Sequence, residues 1–371
     1  MMEYFASTRK ELDKEIRDAL ESFKASFDGV SRDLGEDTAA RLAEFAGRGK
    51  MLRGVLVRLG YELAKGDTPI GSDATALRRA GAAMELFQSG LLAHDDIMDR
   101  DRIRRGYPTM HVAYETALVD GGFDDPPHYG EALGICAGDL AFFAAFRLLS
   151  ELPIAPEAAV QVSTIAAREL CIVGVAQMQD VLNGAARPES TNPFRNAPLE
   201  PGEDDILRLY RYKTGRYTFS MPLALGCVIA GGSDAERLAF EEAGEMLGVV
   251  FQLKDDELGL FADEEELGKP VGADIREDKK TLFRHRLLAQ ADGETEKKLR
   301  SMFGNRASGT SETAFVREKL QAFGVRQELA TMMKTMAQEA LGILEPMLKK
   351  APAISATAFR ELVRYSLERR S

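Results

Sequence analysis

The chain has 371 residues, 45% of them hydrophobic and only 8% aromatic, with no tryptophan. Its 48 basic and 59 acidic side chains leave a net charge of −11 and a pI near 5.1, which argues against broad nucleic-acid binding, because that needs a basic patch or stripe. An anionic ligand stays open, since its binding depends on the local field and on bound cations rather than on net charge.

Segments rich in Ala, Leu, Glu and Arg predict helices over about residues 3–27, 36–47, 50–65, 73–98, 108–119, 130–150, 156–182, 203–231, 234–257, 277–290, 311–323 and 325–348, with a last one near 355–369. No convincing alternating strand runs separate them, so the expected class is all-α. The segment 120–129, with Gly121, Gly122, Pro126 and Pro127, reads as a loop, as does 184–203, with Pro188, Pro193, Pro198, Pro201 and Gly202. Residues 262–276 read as non-helical, with Gly and Lys content suited to a lid over a bound phosphate group.

The N-terminus alternates charged and apolar residues and lacks the apolar core of a secretory signal. The longest uncharged stretch, Tyr217 to Ser233, contains Pro222 and three glycines and falls short of a spanning helix. A core helix in a cytoplasmic protein without a transmembrane segment is expected. Cys136, Cys171 and Cys227 are widely spaced, and buried free thiols are the simplest reading. His111, His128 and His285 have no ligand-like spacing; His94 adjoins an aspartate pair and could support it from behind.

Two aspartate clusters about 160 residues apart carry the functional signal: Asp95-Asp96-Ile97-Met98-Asp99 and Asp255-Asp256-Glu257-Leu258-Gly259. On a helix, positions three and four apart share a face, so Asp95, Asp96 and Asp99 can converge. An Asp pair is ordinarily a solvated helix face. Here a buried-type stripe of Leu77, Ala80, Met84, Phe87 and Leu91 leads into the first cluster, and Phe251 and Leu253 lead into the second. Converging carboxylates call for cations, and Mg²⁺ takes one or two of them plus waters and substrate phosphate oxygens. Two clusters therefore suggest two walls of one diphosphate site, and a single domain over 1–371 that brings them together. Cations follow each cluster: Arg102, Arg104 and Arg105 after the first, Lys269, Lys279 and Lys280 after the second. Arg102 and Lys280 read as surface charges balancing neighbouring acids.

Seven pieces, in order, resemble the trans-prenyl diphosphate synthases of the polyprenyl synthetase family. They are Gly49-Lys50-Met51-Leu52-Arg53; Glu85-Leu86-Phe87-Gln88 leading to His94 through Asp99; Arg104-Arg105-Gly106; Gln177-Met178-Gln179-Asp180; Lys213-Thr214-Gly215; Phe251 through Asp256; and Gly268 through Arg276. The resemblance covers nearly the whole chain. It implies one large helical bundle with a central cavity, a Mg²⁺ cofactor, and isopentenyl diphosphate and an allylic diphosphate as substrates. It assigns the metal to Asp95, Asp96, Asp99, Asp255 and Asp256, and the allylic diphosphate to Arg104, Lys213 and Lys269, with Lys279 nearby. Isopentenyl diphosphate falls to Lys50, Arg53, Gln88 and Arg105. Thr214 and Gln252 take positions beside the developing allylic cation, and Gln177 and Asp180 match without a defined role. A homodimer is a family expectation.

Two positions depart from the common pattern: Gln88 stands where many members have His, and Gly259 where Asp is usual, leaving Glu257 as a doubtful third ligand. A C-terminal Arg369 or Arg370 near the site mouth competes with the reading of a solvated tail. In the family the growing tail runs beside the helix of the first cluster. Gly90 provides no floor there, while Phe87 and Met84 lie one and two turns further down, about 5 Å per turn, and Leu91 borders the same space. A floor at Phe87 predicts a C20 product, geranylgeranyl diphosphate, with C25 or longer as neighbours; core packing is the competing role for Phe87. An all-α terpene cyclase would share the first cluster but would not need Lys50, Arg53 and Arg105. A non-catalytic partner subunit would typically lack a cluster.

Overall fold

The computed structural model describes residues 2–27, 29–186, 190–194, 200–261 and 272–369. In chain order its helices are α1 (Met2–Phe27), α2 (Arg32–Gly47), α3 (Leu52–Lys65), α4 (Gly71–Met98), α5 (Met110–Asp120), α6 (Pro126–Ser150), α7 (Pro156–Ala185) and α8 (Glu203–Leu209). A π-helical segment, Tyr210–Ser220, precedes α9 (Met221–Ile229), α10 (Asp234–Phe261), α11 (Ala273–Arg276), α12 (Leu282–Gln290) and α13 (Gly293–Met302). Then come α14 (Thr310–Ala322), α15 (Val325–Lys350) and α16 (Ala353–Glu368). A two-stranded hairpin, β1 (Ile103–Arg104) and β2 (Tyr107–Pro108), lies between α4 and α5. The all-α expectation holds.

Two compact units are present, one of Met1–Ala167, Pro222–Phe240 and Met347–Phe359, the other of Arg168–Met221, Glu241–Pro346 and Arg360–Ser371. In the first, α4 is the central element, packed on α3 and α6. Its stripe of Leu77, Ala80, Met84 and Phe87 is buried, as the spacing requires. Gly90 and Gly138 allow α4 and α6 to approach closely: a Cβ on Gly90 would lie 2.8 Å from the Gly138 carbonyl oxygen. Glu62 is buried on α3 and is satisfied by three donors, Tyr4 Oη at 2.6 Å, Ser355 Oγ at 2.6 Å and Arg58 Nε at 2.8 Å. Without them a buried carboxylate would be strongly destabilising.

The second unit buries Phe219, Phe283, Leu287, Val316 and Leu320. Its wide-turned π segment meets α10 backbone to backbone, because Gly215 and Gly248 face each other; a Cβ on Gly248 would collide with Gly215 Cα. Arg216 on that segment is clamped by Glu169, through Nε and Nη2 at 2.7 Å each, and by Glu245. Helix starts follow the capping rule: Asp292 accepts from the Thr295 N–H at 2.8 Å, and Ser233 and Glu236 exchange hydrogen bonds at the start of α10.

Several local expectations change. The single helix expected over 203–231 is three segments, its middle one π-helical. The loop at 120–129 is shorter, since Pro126 occupies the first helical position of α6, where its missing N–H costs nothing. Helix α13 has no counterpart among the predicted elements, and α11 lies in the stretch expected to be non-helical; residues 262–271, including Lys269 and most of that lid, lie outside the described residues. Only Cys227 is buried, while Cys136 and Cys171 are exposed, and all three are free. Among the described residues, the helices long and apolar enough to cross a membrane are α6 and α7 rather than the stretch around α9, and less than half of each apolar window is buried.

Candidate active site

The first aspartate cluster closes α4. Asp96 is fully buried, Asp95 half-buried and Asp99 exposed at the C-cap. A helix C-terminus carries a partial negative charge, so carboxylates there are disfavoured until a cation joins them. Arg104 supplies part of that charge, with Nε on Asp96 Oδ1 and Nη2 3.6 Å from both Asp95 Oδ2 and Asp101 Oδ2. Burial nevertheless pushes the Asp96 carboxyl up to about 6, with Arg104 opposing the rise and Asp95 and Asp101 adding to it. The second oxygen, Asp96 Oδ2, is buried and accepts no hydrogen bond from the described residues. His94 faces elsewhere: its Nε2 lies 3.0 Å from the Ile135 carbonyl oxygen on α6, and it does not back up the aspartates.

Arg104 and Arg105 owe their placement to the hairpin. Its two-residue turn is Arg105-Gly106, with φ of 55° and 77°, the left-handed pair that a type I′ connection demands. The turn swings the Arg105 guanidinium against Gly49, where a Cβ would be 2.9 Å from Nη1; this gives the glycine before Lys50 its reason. Lys50 is exposed just before α3, and Met51, the N-cap of α3, is itself left-handed at φ 51°. Arg53 follows in the first turn of α3, where Glu85 Oε1 accepts the Gly54 N–H at 2.7 Å. Burial, then the neighbouring Arg104 and Arg53, lowers the Arg105 pKa, and Glu85 opposes them. Gln88 is half-buried one turn beyond Glu85. Arg53 and Arg105 thus flank one buried acid, Glu85, with Gln88 one turn beyond it on α4 and Lys50 just before α3. Glu85 is a member that sequence reasoning does not single out as functional, although it opens the Glu85-Leu86-Phe87-Gln88 match. Arg102 behaves as expected, pairing with Glu115 at 3.0 Å.

The second cluster, on α10, is organised differently. Asp255 is exposed and meets Arg369 Nη2 at 2.7 Å. Both oxygens of buried Asp256 are already engaged, Oδ1 by Gln252 Nε2 at 2.9 Å and Oδ2 by the Tyr210 hydroxyl. Burial, then the Asp274 charge, pushes its carboxyl up to about 7. Gln252 accepts from Thr214 Oγ1 at 2.8 Å, so the two expected cation-side groups do meet. Lys213 is held by Asp180, which gives that aspartate a role; Gln177 is half-buried one turn earlier on α7.

The structure adds detail around this cluster. Glu257 is bound to Lys254 and Arg326, each at 2.8 Å, and is not poised as a third ligand. The space beside Gly259 is filled by Asp274, whose Oδ2 would lie 2.6 Å from a Cβ there. Lys279 is exposed, 3.5 Å from Asp274; Lys280 pairs with acids as expected, but its side chain is buried. Arg369 is no solvated tail: it is buried, stacks 3.7 Å over Phe251 and donates to its carbonyl oxygen at 2.8 Å. Tyr210 lies outside the matched pieces, and Asp274, although inside the Gly268–Arg276 piece, carries no assigned role in the sequence reading; the fold brings both to the cluster.

Among the described residues no three His, Cys, Asp or Glu side chains form a closed metal cage. Each cluster by itself nevertheless offers donors that suit Mg²⁺, which takes only one or two carboxylates from a protein: in the first unit the buried Asp96 oxygen without a hydrogen bond, in the second the exposed carboxylate of Asp255. Below the first cluster, Phe87 packs edge-on against Phe146, with ring centres 5.0 Å apart, and 6.4 Å from Phe142, whose ring also covers Gly90. Met84 is buried beneath them and Leu91 is half-buried.

Residues 39–320 match the family model for polyprenyl synthetase. A geranylgeranyl diphosphate synthase from Sulfolobus acidocaldarius is 31% identical over 84% of this chain and 83% of its own. A geranylfarnesyl diphosphate synthase from Aeropyrum pernix is 33% identical over 63% of this chain and 65% of its own. Among solved structures, the geranylgeranyl pyrophosphate synthase of Corynebacterium glutamicum, complexed with isoprenyl diphosphate and magnesium, superposes with a TM-score of 0.81 at 29% identity, covering 97% of this chain and 99% of that one. With its motifs in order, its helical fold and matches of this extent, the chain belongs to the polyprenyl synthetase family.

Proposed function

We propose that this enzyme is a trans-prenyltransferase that condenses isopentenyl diphosphate with an allylic diphosphate, head to tail, and releases geranylgeranyl diphosphate. The observation that carries the reading is an acidic helix end, with its orphaned Asp96 oxygen, beside a separate basic group of Arg53 and Arg105 with Lys50 next to Gly49, which supports two kinds of diphosphate site in one protein. Asp95, Asp96, Asp99 and Asp255 would hold Mg²⁺, which supplies charge neutralisation for the departing diphosphate. Arg104, Lys213 and Lys269 add fixed positive charge where the leaving group gains negative charge, and preorganisation of that kind is commonly the largest catalytic contribution. Lys50, Arg53, Gln88 and Arg105 grip the second diphosphate and set its double bond against the allylic carbon, replacing a rare bimolecular encounter with a positioned one. Thr214 and Gln252 present oxygens to the allylic cation, and the released diphosphate takes the proton that ends the cycle.

The C20 length is supported by the aromatic cluster of Phe87, Phe142 and Phe146 as floor. We assign the enzyme to the cytoplasm as a homodimer, a state supported by apolar side chains exposed on α6, Ile135 and Phe143. Phe87→Ala tests the floor: products longer than C20 by mass are expected, and an unchanged length would assign Phe87 to packing alone.

A further inference from the structure

A continuous hydrogen-bonded chain crosses the second unit. The Leu282 N–H donates to Tyr210 Oη at 3.0 Å, and Tyr210 donates to Asp256 Oδ2. From the other side Gln252 Nε2 donates to Asp256 Oδ1 at 2.9 Å, and Thr214 Oγ1 donates to Gln252 Oε1 at 2.8 Å. The Leu282 N–H can only donate, so Tyr210 gives its own proton to Asp256 Oδ2, and with Gln252 Nε2 on Oδ1 both Asp256 oxygens accept and the direction of the chain is set. Gln252 must turn its NH₂ toward Asp256 and its carbonyl toward Thr214. The Thr214 hydroxyl is then committed as a donor to Gln252, and its lone pairs point elsewhere. Beside a carbocation this polarity matters, because lone pairs attract the cation and a hydroxyl proton repels it.

We propose that Tyr210 is a positioning residue for the condensation. By occupying Asp256 Oδ2 it holds the carboxylate against Gln252 and so sets the polarity that ends at Thr214. The side chain suits such a role, being buried and rigid in its ring, with its own acceptor site taken by the Leu282 N–H at the start of α12. On this proposal Asp256, with both oxygens engaged, orients the chain, and cation ligation in this cluster falls to Asp255 in exchange for its Arg369 contact. The inference rests on the reading of Thr214 and Gln252 as groups beside the allylic cation.

The test uses Tyr210→Phe, which removes one oxygen and keeps the ring. Turnover should fall about tenfold with KM for both diphosphates changed less than about twofold, the pattern of an interaction that acts in the transition state. Combined with Thr214→Val, the tyrosine change should cost nothing further, whereas independent structural effects would multiply. A second readout avoids turnover: Mn²⁺ binding in the presence of inorganic pyrophosphate, followed by electron paramagnetic resonance. Asp256→Asn should keep the wild-type affinity within about twofold, while Asp255→Asn should lose about tenfold or more. Multiplicative losses in the double variant, or equal loss of Mn²⁺ affinity in the two aspartate variants, would overturn the proposal. If wild type itself forms no condensation product, the proposed function fails instead, and the two failures are thereby separate.

Discussion

At the scale of single residues, this site is built from groups held in unfavourable situations until charge is balanced. Asp96 is the plainest case: buried at the negative end of α4, its carboxyl pushed up to about 6, with one oxygen on Arg104 and the other unpartnered. Removing Arg104 should leave that acid without its compensating charge. Arg104→Gln is expected to lower kcat/KM by about a hundredfold or more, in the range seen for lost transition-state electrostatics, and steady-state kinetics on both substrates would check it. Glu169 illustrates the opposite balance. Burial raises its pKa, but the two hydrogen bonds from Arg216, together with Arg168, outweigh burial and leave it below its ordinary 4.5. A carboxylate with a depressed folded value stabilises the fold above its unfolded pKa and loses that contribution as pH falls through the folded value. Glu169→Gln should therefore cost about 2 kcal/mol near neutral pH, with the gap to wild type closing below pH 4.5. Urea unfolding at several pH values measures this; a gap that persists unchanged in acid would contradict it.

At the scale of elements, long amphipathic helices were legible because their periodicity reports burial directly, as the stripe of α4 shows. What escaped were features set by the backbone or by distant partners. The β1–β2 hairpin has only two residues per strand, too few for alternation to register, and its sole local marker is the Arg105-Gly106 turn. The π segment keeps the composition of an ordinary helix, and a wide turn follows from packing of Gly215 on Gly248 rather than from side-chain propensity. Such segments often mark functional positions, and this one carries Tyr210, Lys213 and Thr214. The aspartate clusters stand out in the sequence, yet sequence could not separate Asp255, which is accessible, from Asp256, whose oxygens are both occupied. Nor could it place Asp274 beside Gly259. At the α4–α6 crossing, Gly90→Leu should destabilise the fold by about 1–3 kcal/mol through overpacking against Gly138 and Phe142; thermal unfolding at equal or greater stability would refute the close approach.

For the whole molecule, two faces await an explanation in solution. On α6, Phe143 is 69% exposed and Ile135 45%, a costly display for an isolated chain. On α7, Val175 and Met178 are exposed one turn apart, at 67% and 65%. A second copy covering the α6 face would account for it, and analytical ultracentrifugation should give a dimer that Phe143→Glu dissociates. A monomer in wild type would reject the homodimer, and wild-type binding to lipid vesicles that Phe143→Glu abolishes would assign the face to a membrane.

The reaction is tested most directly by its product. Purified protein with Mg²⁺, isopentenyl diphosphate and, in separate reactions, C5, C10 and C15 allylic diphosphates should yield a discrete C20 diphosphate by mass, abolished by EDTA and by Asp95→Ala. Longer products would keep the chemistry and discard the floor at Phe87. Pyrophosphate released from an allylic diphosphate alone, with no condensation product, would contradict the account and indicate a cyclase.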